Sequence, residues 1–269
     1  YTIGEISEVE RDSWRGSVLE SRAESLSPVP EAAARQARYR FLREVAQATG
    51  SDRIALGHTA DDQAETVLMH FIRGSGLDGL AGMRPRTGDL VRPLLGLWRA
   101  DTVAYCAAMG LEPRQDATNA DMRYLRNRVR SELLPLLETY QAQIRLTLAR
   151  NAPIIARDLD FIEAEVDRVW SEVVIAQAPA AVTLDRAVLR ALHPALRFRV
   201  LRRAVLAIGS NKPDAHLNAD SLHRLDRVIM DRSGELRRVE LSTGVVARCD
   251  SGTIVVSREV QAADDVRAP

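Results

Sequence analysis

From residue 60 to 72 the apolar positions Ala64, Val67, Leu68, Phe71 and Ile72 recur at three- and four-residue intervals. That spacing predicts an amphipathic helix whose stripe packs on a sheet. Thr59 is placed to cap it and Gly74 to end it. Just upstream, the run Ile54-Ala55-Leu56 stops at Gly57-His58, which predicts a short buried strand over 53–58. Glu31 to Ala48 consists of strong helix formers without Gly or Pro, and Gly50 follows as a stop. "LVRPLLGL" predicts a second short strand bounded by Pro93, and Arg99 to Met109 a helix stopped by Gly110. Helix, strand, helix, strand, helix in alternation argues for a parallel α/β sheet. Met122, Leu125, Val129, Leu133 and Leu136 predict one more helix over 122–137.

After about residue 145 the strand alternation stops. Residues 145–174 and 185–208 are expected to be helical. The β-branched runs of "LRRVELSTGVVARCDSGTIVVS" suggest a hairpin or meander. The expected organisation is therefore an α/β domain over 1–145 and a mainly helical domain over 146–269 with a small terminal β-hairpin. Residues 1–30 are polar and weakly patterned and predict a loop or mobile lead-in.

Composition changes this picture little. Hydrophobic residues make up 46% and charged residues 28% of 269, the profile of a soluble globular chain. No apolar run approaches the roughly 18 residues that span a bilayer, and the first twenty residues carry no signal-peptide core. Cys106 and Cys249 are far apart and match no metal or redox spacing, which favours a reducing cytoplasm. Net charge is zero, yet the positive residues comprise one lysine and 36 arginines. Their placement is the informative part.

At the expected junction of strand and helix, His58 is followed by Asp61, Asp62 and Glu65. Ligands of open parallel sheets bind beyond the carboxyl ends of the strands. Carboxylates there suit Mg²⁺, accept protons from an attacking amine, or bind a cationic amino group. Acidic residues in a first helical turn also complement the helix dipole, at about 0.3–1 kcal/mol each. Spacing alone does not choose among these. Arg126 and Arg130 are four apart on one helix face, with Asn119 and Asn127 nearby, and a guanidinium fork matches phosphate. Glu132 and Glu138 are the ordinary ion-pair alternative. Arg35 and Arg38 precede the first strand and carry the same two readings.

A second cluster comprises Arg186, Arg190, Arg197, Arg199, Arg202 and Arg203, with no Asp or Glu between Arg186 and Asp214. Such a surface fits contact with a phosphate backbone; a solvated amphipathic helix is the alternative. Arg199, Arg202 and Arg203 share a face, with Arg197 off it, and Phe198 is expected in the core.

The stretch "GHTADDQAETVLMHFIRGSGLDGLAGM" resembles the tRNA(Ile)-lysidine synthetases, members of the N-type PP-loop ATPases with a Rossmann-like core. "EAAARQARYRFL" (31–42), "RPLL" (92–95) and "DATNADMRYLRNRVRSELLPLL" (116–137) are similar to further family blocks in order and spacing. The resemblance implies ATP-dependent modification of the wobble cytidine of tRNA(Ile) with a CAU anticodon. ATP forms an adenylated base and pyrophosphate; the amine of free L-lysine then attacks and AMP leaves, giving lysidine. It further implies that Asp61 and Asp62 organise Mg²⁺ or the reacting groups. Glu65 would orient the site or the lysine, and His58 would border the nucleotide with Arg35 and Arg38. Arg126 and Arg130 would hold phosphate, and Arg199, Arg202 and Arg203 would contact tRNA. A homodimer is left open.

The family's phosphate loop, Ser-Gly-Gly-x-Asp-Ser, departs from this pattern, because no Ser-Gly-Gly occurs in the chain. Gly74-Ser75-Gly76 follows the carboxylate helix and reads as a helix stop and turn. Together with the opening Tyr1, this predicts a truncated Rossmann-like domain lacking its N-terminal part. On that expectation two further readings stand beside the ligase: a non-catalytic tRNA-binding fragment, and another PP-loop tRNA-modifying enzyme such as a thiolase. The absence of a Cys-x-x-Cys pair counts against the last.

Overall fold

A computed structural model describes residues 31–113, 121–208, 219–233, 235–242 and 244–258. The expected lead-in over 1–30 and residues 116–120, with Asn119, lie outside the described residues. The chain divides into two compact units, Tyr1–Arg157 and Asp158–Pro269.

In the first unit, α1 (Glu31–Ala48) leads to β1 (Ile54–Ala55) and α2 (Ala60–Ile72). A short α3 (Leu77–Leu80) precedes β2 (Arg86–Thr87) and β3 (Leu90–Val91), and α4 (Arg99–Ala108) follows. β1 and β3 run parallel, Ile54 opposite Leu90 and Ala55 opposite Val91, as the alternation predicts. The Leu56 amide extends the ladder to the Val91 carbonyl at 2.9 Å. Both strands are shorter than expected. After Val91 the chain turns at Pro93, which has no N–H to continue a ladder. β2, which the sequence did not predict, pairs antiparallel with β3 across the two-residue turn Gly88-Asp89, Gly88 taking φ +59°.

The segment expected as one helix over 122–137 is three pieces: α5 (Leu125–Arg128), a π-helical turn (Val129–Leu133) and α6 (Leu134–Tyr140). Pro135 is the physical reason. It has no amide to donate, and its ring crowds the carbonyl four residues earlier, so the backbone widens and the Leu134 amide bonds Val129 instead. Val129 and Leu134 are buried with Leu68, forming the small core of this unit. Met122 and Leu136, expected on the apolar stripe, are exposed.

The division between units falls within α7 (Ile144–Val173). The second unit contains a five-stranded antiparallel sheet in the order β4-β5-β8-β7-β6. Its strands are β4 (Val174–Ala178), β5 (Ala181–Asp185), β6 (Arg237–Ser242), β7 (Val245–Cys249) and β8 (Thr253–Arg258). The expected hairpin corresponds to β6, β7 and β8. β4 and β5 were not foreseen, because β4 is mostly exposed and shows no alternation. Helices α8 (Arg186–Ala191), α9 (Pro194–Ile208) and α10 (Ala219–Met230) complete the unit. Pro194 splits the helix expected over 185–208. Every second residue of β5, β7 and β8 points into the core, where Val182, Leu184, Ala247, Cys249, Ile254 and Val256 meet Leu201 of α9 and Leu225 and Ile229 of α10. The α/β class with a helical second part and terminal β structure is thus borne out.

Candidate active site

The loop after β1 positions the predicted residues by backbone ties. Thr59 is the N-cap of α2, and its amide and hydroxyl both donate to Asp62 Oδ2, at 2.8 and 3.1 Å. The capping box closes with Asp62 where Glu or Gln is usual. The Ala60 amide donates to the Leu97 carbonyl, which brings the start of α4 alongside. There Asp61 Oδ2 accepts the Arg99 amide at 2.8 Å, so Asp61 satisfies one of the free N–H groups at the beginning of α4. Its Oδ1 lies 3.9 Å from Arg145.

Asp62 and Glu65 converge with Arg126 and Arg130. Arg126 donates from Nε to Glu65 at 2.9 Å and from Nη2 to Asp62 Oδ1 at 2.8 Å. Arg130 donates to Glu65 from Nε at 2.5 Å and from Nη2 at 3.0 Å, and reaches Asp62 Oδ1 at 3.4 Å. Glu65 is fully buried, at 0% exposure, while the two arginines remain partly open. The hydrogen bond to Glu65 foremost holds the Arg130 guanidinium in its charged form.

This differs from the expected register in two ways. Asp61 and Glu65, four residues apart, are expected on one face of α2 away from the apolar stripe, but Glu65 is buried, and the two carboxylates serve different partners. Phe71 and Ile72, expected on the sheet side, are 67% and 49% exposed, whereas Ala64, Val67 and Leu68 are buried as predicted. Glu65 is tolerated inside because three guanidinium N–H groups replace its hydration; an unpaired buried carboxylate would be strongly unfavourable.

The Asp61–Asp62 pair does not present the donor set of a protein-held Mg²⁺. Oδ1 of Asp62 faces two guanidinium groups, and its Oδ2 faces two donors. No group of three His, Cys, Asp or Glu side chains suited to a metal ion occurs among the described residues.

His58 stands at the carboxyl end of β1. Its Nδ1 is buried and has no hydrogen-bond partner among the described residues. Burial first, then Arg92, Arg126 and Arg35, push the imidazole below its ordinary value, against an opposing pull from Asp62. The sequence reading missed Arg92 as a site residue. It is buried, its Nη1 bonds the Arg84 carbonyl and the Thr87 hydroxyl, and its Nε is unpartnered. It leaves β3 where His58 leaves the neighbouring parallel β1, a relation visible only once the two strands are paired. Gln63 was also missed: it is buried and bonds both the amide and the carbonyl of Met83. Arg35 and Arg38 are exposed on α1, with Arg35 stacked on Tyr39.

The second unit treats its arginines unequally. Arg186 is buried and donates to the Ile229, Val228, Asp231 and Asp250 carbonyls; Arg190 donates to those of Ile229 and Asp231. These two close the carbonyl end of α10, where cations are favoured. Arg197, expected off the face shared by Arg199, Arg202 and Arg203, is 4% exposed and paired with Asp226. Arg199 and Arg203 reach Glu163 at 3.2 and 3.4 Å, and Arg203 also reaches Asp167 at 2.6 Å and lies over Trp170. The acids missing from the local sequence are supplied by other helices. Arg199, Arg202 and Arg203 do border one cavity of about 320 Å³. Phe198 packs against the core, as expected.

Parallel strands whose carboxyl ends carry an acidic helix start, clasped by a later arginine pair, place this unit in the α/β class. The PP-loop domain family model matches residues 17–137, and the TilS substrate binding domain model matches residues 184–255. The tRNA(Ile)-lysidine synthase of Thermobifida fusca is 41% identical over 86% of this chain and 69% of its own length. Those of Leifsonia xyli and Dehalococcoides mccartyi are 42% and 38% identical, over 71% and 82% of this chain and 62% and 48% of theirs. The chain belongs to the tRNA(Ile)-lysidine synthase family, and it spans from about half to about two thirds of the length of these relatives. A solved structure of the U34-tRNA thiolase NcsA from Methanococcus maripaludis gives a TM-score of 0.39 at 18% identity over 53% of this chain and 48% of that one, too distant to bear on the reading.

The expectation that the phosphate-loop part of the domain is missing finds no support in these matches. It rested on an absent tripeptide and on the opening Tyr1, whereas the domain match begins at residue 17 and takes in every block the cluster at the end of β1 is built from. No helix among the described residues is long and apolar enough to cross a membrane.

Proposed function

We propose that this chain takes part in the ATP-dependent joining of L-lysine to the wobble cytidine of tRNA(Ile) with a CAU anticodon, as an AMP-forming ligase. The observation that supports this best is the Asp62–Glu65–Arg126–Arg130 cluster at the carboxyl end of β1. In the first step the cytidine carbonyl oxygen attacks the α-phosphorus of ATP and pyrophosphate leaves. In the second, the lysine amine attacks the activated carbon, AMP leaves, and the amine gives up a proton. Both steps gather anionic oxygen, and fixed guanidinium groups offset such charge best where water is excluded. Both Glu65 oxygens accept guanidinium donors, so its role is to fix the two guanidinium groups. Asp61, whose Oδ1 has its nearest cation at 3.9 Å, takes the lysine proton. His58, with Arg35 and Arg38, borders the nucleotide.

Mg²⁺ is expected to arrive chelated by the triphosphate. Arg199, Arg202 and Arg203 contact tRNA in the same reading. Lysine binding and a homodimer are further parts of it, read by calorimetry and sedimentation respectively.

The test is incubation of the chain with CAU-anticodon tRNA, ATP and lysine, followed by nucleoside mass spectrometry. Lysine- and ATP-dependent conversion of the wobble cytidine, with stoichiometric AMP, is expected. Conversion unaffected by Asp61→Asn would remove the proton-acceptor role. Binding of tRNA without any conversion would favour a tRNA-binding role for this chain.

A further inference from the structure

The arginines most available to an outside anion are not those on α9. α10 buries Leu222, Leu225 and Ile229 and turns Arg224 and Arg227 outward, three residues apart on one face. Arg224 donates to the Ser221 hydroxyl at 2.8 Å, and Arg227 has no partner among the described residues. Beside them runs β6, the edge strand of the five-stranded sheet, carrying Arg237 and Arg238. Between α10 and β6 lies a cavity of about 590 Å³ lined by these four arginines, Asp231 and Glu240, over a floor of Val228 and Val239. Asp231 is already committed to Arg237 at 2.9 Å. Arg238 faces Arg248 directly across the ladder, which gathers like charge at this edge.

We propose that this groove is a docking track for the phosphodiester backbone of RNA, with Arg224 and Arg227 as the phosphate contacts and Arg237 braced in place by Asp231. The inference deepens the reading that the chain handles tRNA and rests on it. Four guanidinium groups against two carboxylates give the lining a net positive charge. On α9, by contrast, a phosphate must displace Glu163 or Asp167 before it reaches Arg199 or Arg203. Among the described residues the groove has no aromatic side chain on which a base could stack, and its walls offer charge over an apolar floor. Such a surface positions a nucleic acid without reading its sequence. It lies within residues 184–255, the span of the second family match.

The experiment is tRNA affinity against salt concentration for the full chain, with CAU-anticodon tRNA and with an unrelated tRNA. Each lost phosphate contact lowers the log–log slope by about 0.7–0.9, so Arg224→Ala/Arg227→Ala is expected to lower it by about 1.4–1.8 for both RNAs. Arg199→Ala/Arg203→Ala is expected to lower it less. Both α10 arginines are exposed, so the melting temperature should hold. An unchanged slope for the α10 pair overturns the proposal, as does a loss confined to one of the two tRNAs. Binding of polyglutamate in the groove with the tRNA slope unchanged assigns it to an acidic protein partner and likewise overturns it. Absence of any tRNA binding by the wild-type chain would instead refute the substrate reading itself.

Discussion

Glu65→Gln isolates the role of burial in the charge cluster. The substitution keeps the shape and removes the charge that three guanidinium N–H groups share, at 2.5, 2.9 and 3.0 Å. Breaking a buried ion pair from one side costs about 3–5 kcal/mol, because the partner is left uncompensated. Arg126 and Arg130 keep 22% and 29% of their side-chain surface, so water relieves part of that, and the lower end, about 3 kcal/mol, is expected. At about 2–4 °C per kcal/mol for a unit of this size, the thermal transition should fall by roughly 6–12 °C. The control is Glu138→Gln, which removes a contact of the same length, 2.5 Å to Arg145, from a carboxylate that is 35% exposed. An exposed pair of this kind contributes about 0–1 kcal/mol. The assay is urea unfolding followed by far-ultraviolet circular dichroism, with hydrogen exchange across α2 locating the loss. If Glu65→Gln destabilises no more than Glu138→Gln, burial is not what gives the cluster its strength, and the assignment of Glu65 as its anchor fails.

Asp62→Ala removes both the capping oxygen and an arginine partner, so it should lower stability by about 1–2 kcal/mol as well as activity; an unchanged urea midpoint would argue against the observed capping box. His58 is expected to titrate below its ordinary value. Its stabilising effect as a neutral group is full above about pH 6.5 and is lost as pH falls through the lower folded-state value. His58→Gln should flatten stability over that range, and imidazole chemical shifts that titrate at or above 6.5 would contradict the burial. Burial pushes the Cys249 thiol up to about 11, so in the native chain Cys106 should react with a disulfide reagent while Cys249 reacts only on unfolding; two equally fast thiols would refute this.

The sequence made the strand pair, the start of α2 and the stops at Gly74 and Gly110 legible, because each depends on residues close in sequence. Glu65 was not. Helical periodicity sets it off the apolar stripe, and only a partner about sixty residues away makes its burial tolerable. The same limit applies to Arg197, Arg199 and Arg203: their acids, Asp226, Glu163 and Asp167, sit on other helices. The arginine-rich segment therefore looked unbalanced when read along the chain. Pro135 was visible, yet the widened turn it imposes overrode a persuasive apolar pattern. β4 escaped because exposed strands carry no alternation. The candidate site was legible as a list of residues through the family resemblance, while the division of labour among its carboxylates required the three-dimensional pairing.

The four charges of the cluster come from segments 61 to 68 residues apart. Drawing together the ends of a loop this long is opposed by roughly 4 kcal/mol of chain entropy. None of the local helices in between supplies these contacts, so the clasp forms only when segments far apart in sequence have met. Until it closes, carboxylates and guanidinium groups stay hydrated, and a half-folded chain carries no buried orphan charge. The region where the four charges meet is thus also a seam that ties the start of α2 to the segment carrying Arg126 and Arg130.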